Sequence, residues 1–168
     1  MKLMTFVKFF ILLFCSSLSQ TNDQVKNKMN DNINKEIIEL HEFFVDWFAA
    51  RIEYSDKNFA RFENVMAKEF EIISPTGIKT VRNDLVNKLK NAHGFRANAD
   101  KPFLIRIKNI NIRQIESNHY LSTYEEWQKI DGSSKGRLST AIFKRKSDTP
   151  NGVEWLHVHE TWLPEDQD

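Results

Sequence analysis

The hydrophobic period of this chain changes at Pro102, and that change limits what it can fold into. Before Pro102 apolar residues recur every three or four positions; after it they recur every two. Ile37, Ile38, Leu40, Phe43, Phe44, Trp47, Phe48 and Ile52, with Glu36, Glu39, Glu42, Asp46 and Arg51 between them, predict a long amphipathic helix with a wide apolar face. His41 falls inside it and reads as a surface or edge residue. Ser55-Asp56 breaks and recaps the chain, and Phe59, Phe62, Val65 and Met66 mark a second helix over 58–68. A brief strand over 70–74, a Pro75-Thr76-Gly77 turn and a pairing segment over 78–80 lead to a third helix carrying Val81, Leu85, Val86 and Leu89. Gly94 suits the cap that ends it.

Beyond Pro102 the chain reads as four long antiparallel strands. Phe103, Ile105 and Ile107 share one face, but Ile110, Ile112 and Ile115 break the parity, which predicts a β-bulge near Asn109. The next strand runs from His119 to Ile130 and turns at Asp131-Gly132-Ser133-Ser134; another spans Arg137 to Lys146. The last, Trp155 to Leu163, carries large side chains on both faces, as a central strand does. Strict alternation along it puts Trp155, His157, His159 and Thr161 on one face and Leu156, Val158, Glu160 and Trp162 on the other. The fold class is α+β, with helices segregated onto one face of an antiparallel sheet.

The two ends read differently from this core. Residues 1–19 have the form of a secretory signal peptide: Lys2 and Lys8, a short apolar run over 9–15, then Ser17-Leu18-Ser19 before a cut at Gln20. The apolar run is shorter than the roughly 20 residues a spanning helix needs, so no membrane association is expected after cleavage. Residues 20–33 form a polar, Asn-rich spacer or weak helix start, residues 34–164 the folded domain, and residues 165–168 an acidic tail. The expected location is outside the cell or in the endomembrane lumen (the periplasm, in a bacterium). Cys15, the only cysteine, would leave with the signal, so neither a disulfide nor a cysteine metal site is expected. Taking Lys2 and Lys8 from the 24 basic residues leaves 22 against 23 acidic ones, a net charge of −1. That balance argues against nucleic acid as a partner. Lys144-Arg145-Lys146, with Lys135 and Arg137, reads as a solvated hairpin end.

The order of helix, helix, hairpin, helix and four strands resembles the NTF2-like superfamily, in particular its SnoaL-like and DUF4440 branch. Gln128-Lys129-Ile130-Asp131-Gly132-Ser133 and Trp155-Leu156-His157-Val158-His159 are similar to the Asp-Gly-Ser hairpin and final strand of the calmodulin-dependent kinase association domain, which shares that fold. The resemblance implies a cone, in which a bent sheet wraps against the long first helix around a pocket. It also implies a homodimer through the outer sheet face. Where the association domain carries pocket arginines, a gap-free alignment puts Glu125 and Ala141.

Two histidines two residues apart could supply a pair of metal ligands, with His119 or Glu125 as a third, but the cluster lacks the spacing of a closed zinc motif, and no metal or other cofactor is expected. An acid–base reading makes His157 or His159 the catalytic group, paired with Glu125, Glu126, Tyr124 or Asp46. Ligand-binding candidates are Trp47, His119, Thr123, Tyr124, Trp127, Trp155 and Thr161. Glu160 reads as a structural carboxylate, or as one buried opposite a basic group such as Arg106. With neither a phosphate loop nor a Gly-x-Ser-x-Gly elbow, the leading reading is an exported domain that binds a small, largely apolar molecule. An isomerase, dehydratase or cyclase on the same scaffold, and a non-catalytic assembly module, are the alternatives.

Overall fold

The computed structural model describes the backbone of residues 4–164 and the side chains of residue 24 and of residues 26–164. The acidic tail lies outside the described residues, as do Met1–Leu3 and the side chains of the expected signal peptide. No helix among the described residues is long and apolar enough to cross a membrane. The chain forms two compact units, Met1–Asp31 and Asn32–Asp168. The first holds the N-terminal part of helix α1 (Met4–Phe48), and the stretch expected as a polar spacer or weak helix start is helical. The second holds all other elements: α2 (Asp56–Glu63), β1 (Met66–Ile73), β2 (Lys79–Val81), α3 (Arg82–Asn91), β3 (Leu104–Glu116), β4 (His119–Ile130), β5 (Ser133–Arg145) and β6 (Val153–Trp162).

The strands form one six-stranded sheet in the order β2-β1-β6-β5-β4-β3, so the last strand in sequence lies near the centre. All pairings are antiparallel except β1 with β6, which is parallel, and the sheet is therefore mixed. Met66 and Ala67, expected to end the second helix, open β1; α2 stops three residues earlier, at Glu63. The helix starts where expected: Ser55 accepts the amide of Asn58 through its hydroxyl, a side-chain N-cap.

Two bulges shape the inner face of the sheet. Lys108 pairs with Glu125 and Asn111 with Thr123, so Asn109 and Ile110 together oppose Tyr124. Asn109 adopts φ 54°, a left-handed conformation that asparagine tolerates better than most residues. This is the bulge the isoleucine parity requires. The second was not legible. Phe143 pairs with Trp155 and Ile142 with His157, leaving Leu156 unpaired in β6. An extra residue reverses the alternation beyond it.

The core lies between the sheet and the helices. Ile33, Ile37, Leu40, Trp47, Phe59, Phe62, Val65, Phe143 and Val153 are among its fully buried members. Glu36 is buried beside them, and a carboxylate there requires partners. Arg61 donates to both its oxygens at 3.1 and 3.0 Å, Asn151 donates at 2.8 Å, and the Trp155 indole at 3.1 Å. These bonds fix α2, the β5–β6 turn and β6 against α1. The C-terminus of α1 is held by the segment after α3: Gly94 and Arg96 donate backbone amides to the carbonyls of Trp47 and Phe48. The β4–β5 turn has Asp131 at φ 52° and Gly132 at φ 94°, the two positive φ values a tight hairpin needs.

Candidate functional site

Between the sheet and the helices lies a cavity of about 190 Å³. Its walls are apolar: Leu40, Phe44 and Phe48 of α1, Phe62 of α2, Met66, Phe70 and Ile72 of β1, Leu85 and Leu89 of α3, and Ile105 of β3. The polar residues all sit on one side, contributed by α1 and the three strands β4, β5 and β6.

These polar residues form one connected floor. His41 donates Nδ1 to the Ile37 carbonyl at 2.6 Å and Nε2 to a Glu126 oxygen at 3.2 Å. Both partners are acceptors, so the ring carries both protons and is an imidazolium. Glu126 receives Gln128 Nε2 at 2.7 Å and Arg137 at 3.0 Å on its other oxygen. Arg137 reaches onward to Glu160 at 2.8 Å. Strand alternation sets this up: Ser122, Tyr124 and Glu126 point inward from β4, Arg137, Ser139 and Ala141 from β5, and Val158 and Glu160 from β6.

Electrostatics follow from this geometry. Burial opposes the His41 charge, but the Glu126 carboxylate and its hydrogen bond outweigh burial and raise the imidazole above its ordinary value. Burial likewise favours the protonated form of Glu126, yet the His41 cation, its hydrogen bond and Arg137 hold that carboxyl at about 2. Glu160 goes the other way: burial raises it, and the neighbouring Glu126 charge adds to the rise against the pull of Arg137. Tyr124 is pushed well above the usual phenol range by burial and by the two carboxylates, and keeps its proton.

Of the residues singled out from sequence, Tyr124 and Trp155 line the cavity. His157 and His159 do not. The Leu156 bulge reverses the alternation after Trp155, so Val158 and Glu160 point inward while both histidines point away. His157 Nδ1 is 3.7 Å from a Glu71 oxygen, and His159 is exposed. Glu125 also lies on the outer face, where it accepts Asn109 Nδ2 at 2.8 Å and Trp127 Nε1 at 2.9 Å. His119, Thr123 and Trp127 share that face of β4, and Thr161 is exposed. Trp47 is buried behind the wall, donating to the Leu89 carbonyl at 2.9 Å and stacking on Phe43. Among the described residues, no three His, Cys, Asp or Glu side chains are grouped so as to hold a metal ion.

The floor residues that sequence reasoning missed are His41 and Arg137; Glu126, one of the acid–base candidates, does lie in the floor, paired with His41 rather than with His157 or His159. His41 is the polar member of the Ile37, Leu40, Phe44 and Phe48 stripe, and that spacing was its signal. Arg137, grouped by sequence with a solvated basic patch, is instead the basic partner of Glu160. The pocket thus has an arginine, supplied from a different position on β5 than the family alignment tests.

The fold is NTF2-like. The structure is similar to the crystal structure of an NTF2-like protein of unknown function from Pseudomonas aeruginosa, with a TM-score of 0.68 and 20% identity over 79% of this chain and 99% of that one. It is also similar to a putative calmodulin-dependent kinase II association domain from Exiguobacterium sibiricum, with a TM-score of 0.51 and 12% identity over 80% of this chain and 93% of that one. Within that fold, the chain belongs to the sucrose-6-phosphate phosphohydrolase C-terminal family, which matches residues 33–164. Sucrose-phosphatase 2 of Nicotiana tabacum is 24% identical over 129 residues, 76% of this chain. The chain spans about 30% of the length of the curated relatives it matches.

Proposed function

We propose that this chain is an exported, homodimeric binding domain that holds a small, largely apolar molecule in its cone. The observation that carries the binding role is that His41 and Glu126, the buried histidine–carboxylate pair of the cavity floor, have both ring nitrogens and both carboxylate oxygens hydrogen-bonded. A general base needs a lone pair within reach of the substrate proton. His41 has none, because both ring nitrogens donate to acceptors, and both Glu126 oxygens are already engaged. This histidine–carboxylate pair holds itself in place instead. Above them, apolar walls favour a hydrocarbon body and a few polar groups fix its orientation, the usual composition of a ligand pocket.

The names of the curated relatives raise hydrolysis of a sugar phosphate. The cavity chemistry speaks against taking that reaction over to this pocket. A sugar phosphate is a polyol dianion, whereas these walls offer its hydroxyls few partners, and the two floor cations are already matched by two carboxylates. Export rests on the residue pattern of 1–19. Dimerisation rests on the outer sheet face, where Leu138 is exposed and Leu121, Trp127 and Ile142 are half-buried around His157 and His159.

A thermal-shift screen tests the binding role, because a ligand that prefers the folded state raises the melting temperature. Small apolar molecules are expected to raise it, and sugars and sugar phosphates to leave it unchanged. A screen in which only sugar phosphates stabilise the protein refutes the reading. Native mass spectrometry at micromolar concentration should give a dimer; a clean monomer removes that part. Mass analysis of secreted protein is expected to find Gln20 at the N-terminus, and an intact Met1 there would refute cleavage.

A further inference from the structure

We propose that the cavity selects an uncharged, mostly hydrocarbon molecule bearing one hydroxyl, an alcohol or phenol whose O–H donates to Glu160 Oε1. The inference rests on the cavity being a binding site and adds the chemical class of what enters it.

Charge is the first argument. The ionised side chains that line the cavity are His41 and Arg137, both cations, and Glu126 and Glu160, both carboxylates, and they sum to zero. A ligand carboxylate or phosphate would bring an unmatched negative charge beside two buried carboxylates. A ligand ammonium would do the same beside the guanidinium and the imidazolium. Either carries a desolvation cost that nothing in the floor offsets.

Hydrogen-bond capacity is the second. His41 has both nitrogens committed, and Glu126 accepts from His41, Gln128 and Arg137. Glu160 accepts from Arg137 through Oε2 alone. Its Oε1 has no protein partner among the described residues, and the side chain is buried at the cavity wall. A carboxylate oxygen open to a largely apolar cavity wants a donor. A hydroxyl supplies one without adding charge, and the protonated Tyr124 phenol lies on the same floor.

Size and walls set the rest of the molecule. An engineered apolar cavity of about 150 Å³ holds benzene, so a space of about 190 Å³ suits one ring with a small substituent. Phe44, Phe62 and Phe70 give that ring apolar and aromatic neighbours.

Toluene, p-cresol and 4-methylbenzoate differ at one position and make the test, titrated into the full chain with the Met66 methyl resonance as reporter of the cavity. A hydrogen bond to a charged acceptor corresponds to about tenfold or more in affinity. We therefore expect p-cresol to bind about tenfold more tightly than toluene, and 4-methylbenzoate more weakly than either. In Glu160→Gln, Arg137 retains the amide oxygen and the amide nitrogen faces the cavity. The p-cresol advantage should then shrink to about a few-fold at most, because the amide nitrogen can only donate a neutral hydrogen bond to the phenol oxygen, while toluene affinity is unchanged, which also reports that the variant is folded. Equal affinity of toluene and p-cresol for the native chain overturns the hydroxyl inference and leaves the binding role standing. Preference for 4-methylbenzoate overturns the charge argument. Failure of all three to bind removes the binding role itself, and this inference with it.

Discussion

Strand β6 has two faces, and the same residue types behave differently on each. Outward, His157 and His159 meet solvent and a loosely placed Glu71 whose closer partner is Lys79, at 2.9 Å. Inward, a histidine from another element, His41, meets Glu126 where both side chains are buried, and Arg137 links Glu126 to Glu160 on β6 itself. A His–Glu pair is present on both sides of the sheet. Only on the inner side does burial make the pairing consequential, because a charge there has no alternative partner. The pair that looks chemical in the sequence is thus the solvated one.

The sharpest way to break this contrast is to cut the inner chain at its centre. Arg137→Met leaves Glu126 short of one donor and Glu160 without its partner. Removing one member of a buried ionic network costs about 3–5 kcal/mol, and denaturant unfolding should read a loss of that order. A loss below about 1 kcal/mol would mean that water reaches the floor and that the two faces are alike. On the outer side the largest effect comes from packing rather than charge. A Cβ on Gly136 would sit 2.7 Å from the Trp127 ring, its cross-strand partner. Gly136→Ala must displace that ring, and overpacking of this kind costs about 1–3 kcal/mol. Retained stability with unchanged Trp127 fluorescence would show that the ring has room to move.

The fold was legible because it depends on periodicity, and periodicity survives in sequence even where particular contacts do not. The Asn109 bulge could be inferred because isoleucines on both sides of it reveal the parity change. The Leu156 bulge could not. Leu156 lies between Trp155 and His157, and large residues occupy both faces of β6, so no parity break is visible. That one unpaired residue turned the two histidines away from the cavity and moved the expected site with them. His41 was hidden for a related reason: one polar residue on an apolar stripe reads as an edge until its partner, 85 positions away, is known. The parallel β1–β6 pair was likewise invisible, since local pattern says nothing about which distant strands meet.

Acidity and alkalinity probe the inner face without a mutation. The His41 imidazole is raised above its ordinary 6.5, so the stability it contributes is complete below that pH and is lost as pH climbs through the raised value. Glu126, held at about 2, contributes above its ordinary 4.5 and loses that contribution as pH falls towards 2; Glu160, raised by burial, opposes it over the acid range. Melting curves should therefore fall on the alkaline side of pH 6.5, by at most about 1.4 kcal/mol per pH unit for one proton. His41→Gln should remove that slope. If the slope persists in His41→Gln, the titrating group lies elsewhere and the imidazolium assignment is wrong.

The smallest expected effect is also the one that tests the outer face directly. His157→Ala and His159→Ala remove side chains that are half-buried and exposed, the first with its Nδ1 3.7 Å from a Glu71 oxygen. Surface changes of this kind stay within about 0.5 kcal/mol, so unfolding at low protein concentration should barely register them. A dimer through this face would behave differently. The same substitutions would then shift the dissociation constant while leaving the unfolding of the separated subunit alone, because a contact across the interface exists only in the assembled state. Sedimentation over a concentration series separates the two cases. A large loss of subunit stability from either substitution would mean that the outer histidines are structural, and the contrast between the two faces of β6 would fail on the side where it is expected to be weakest.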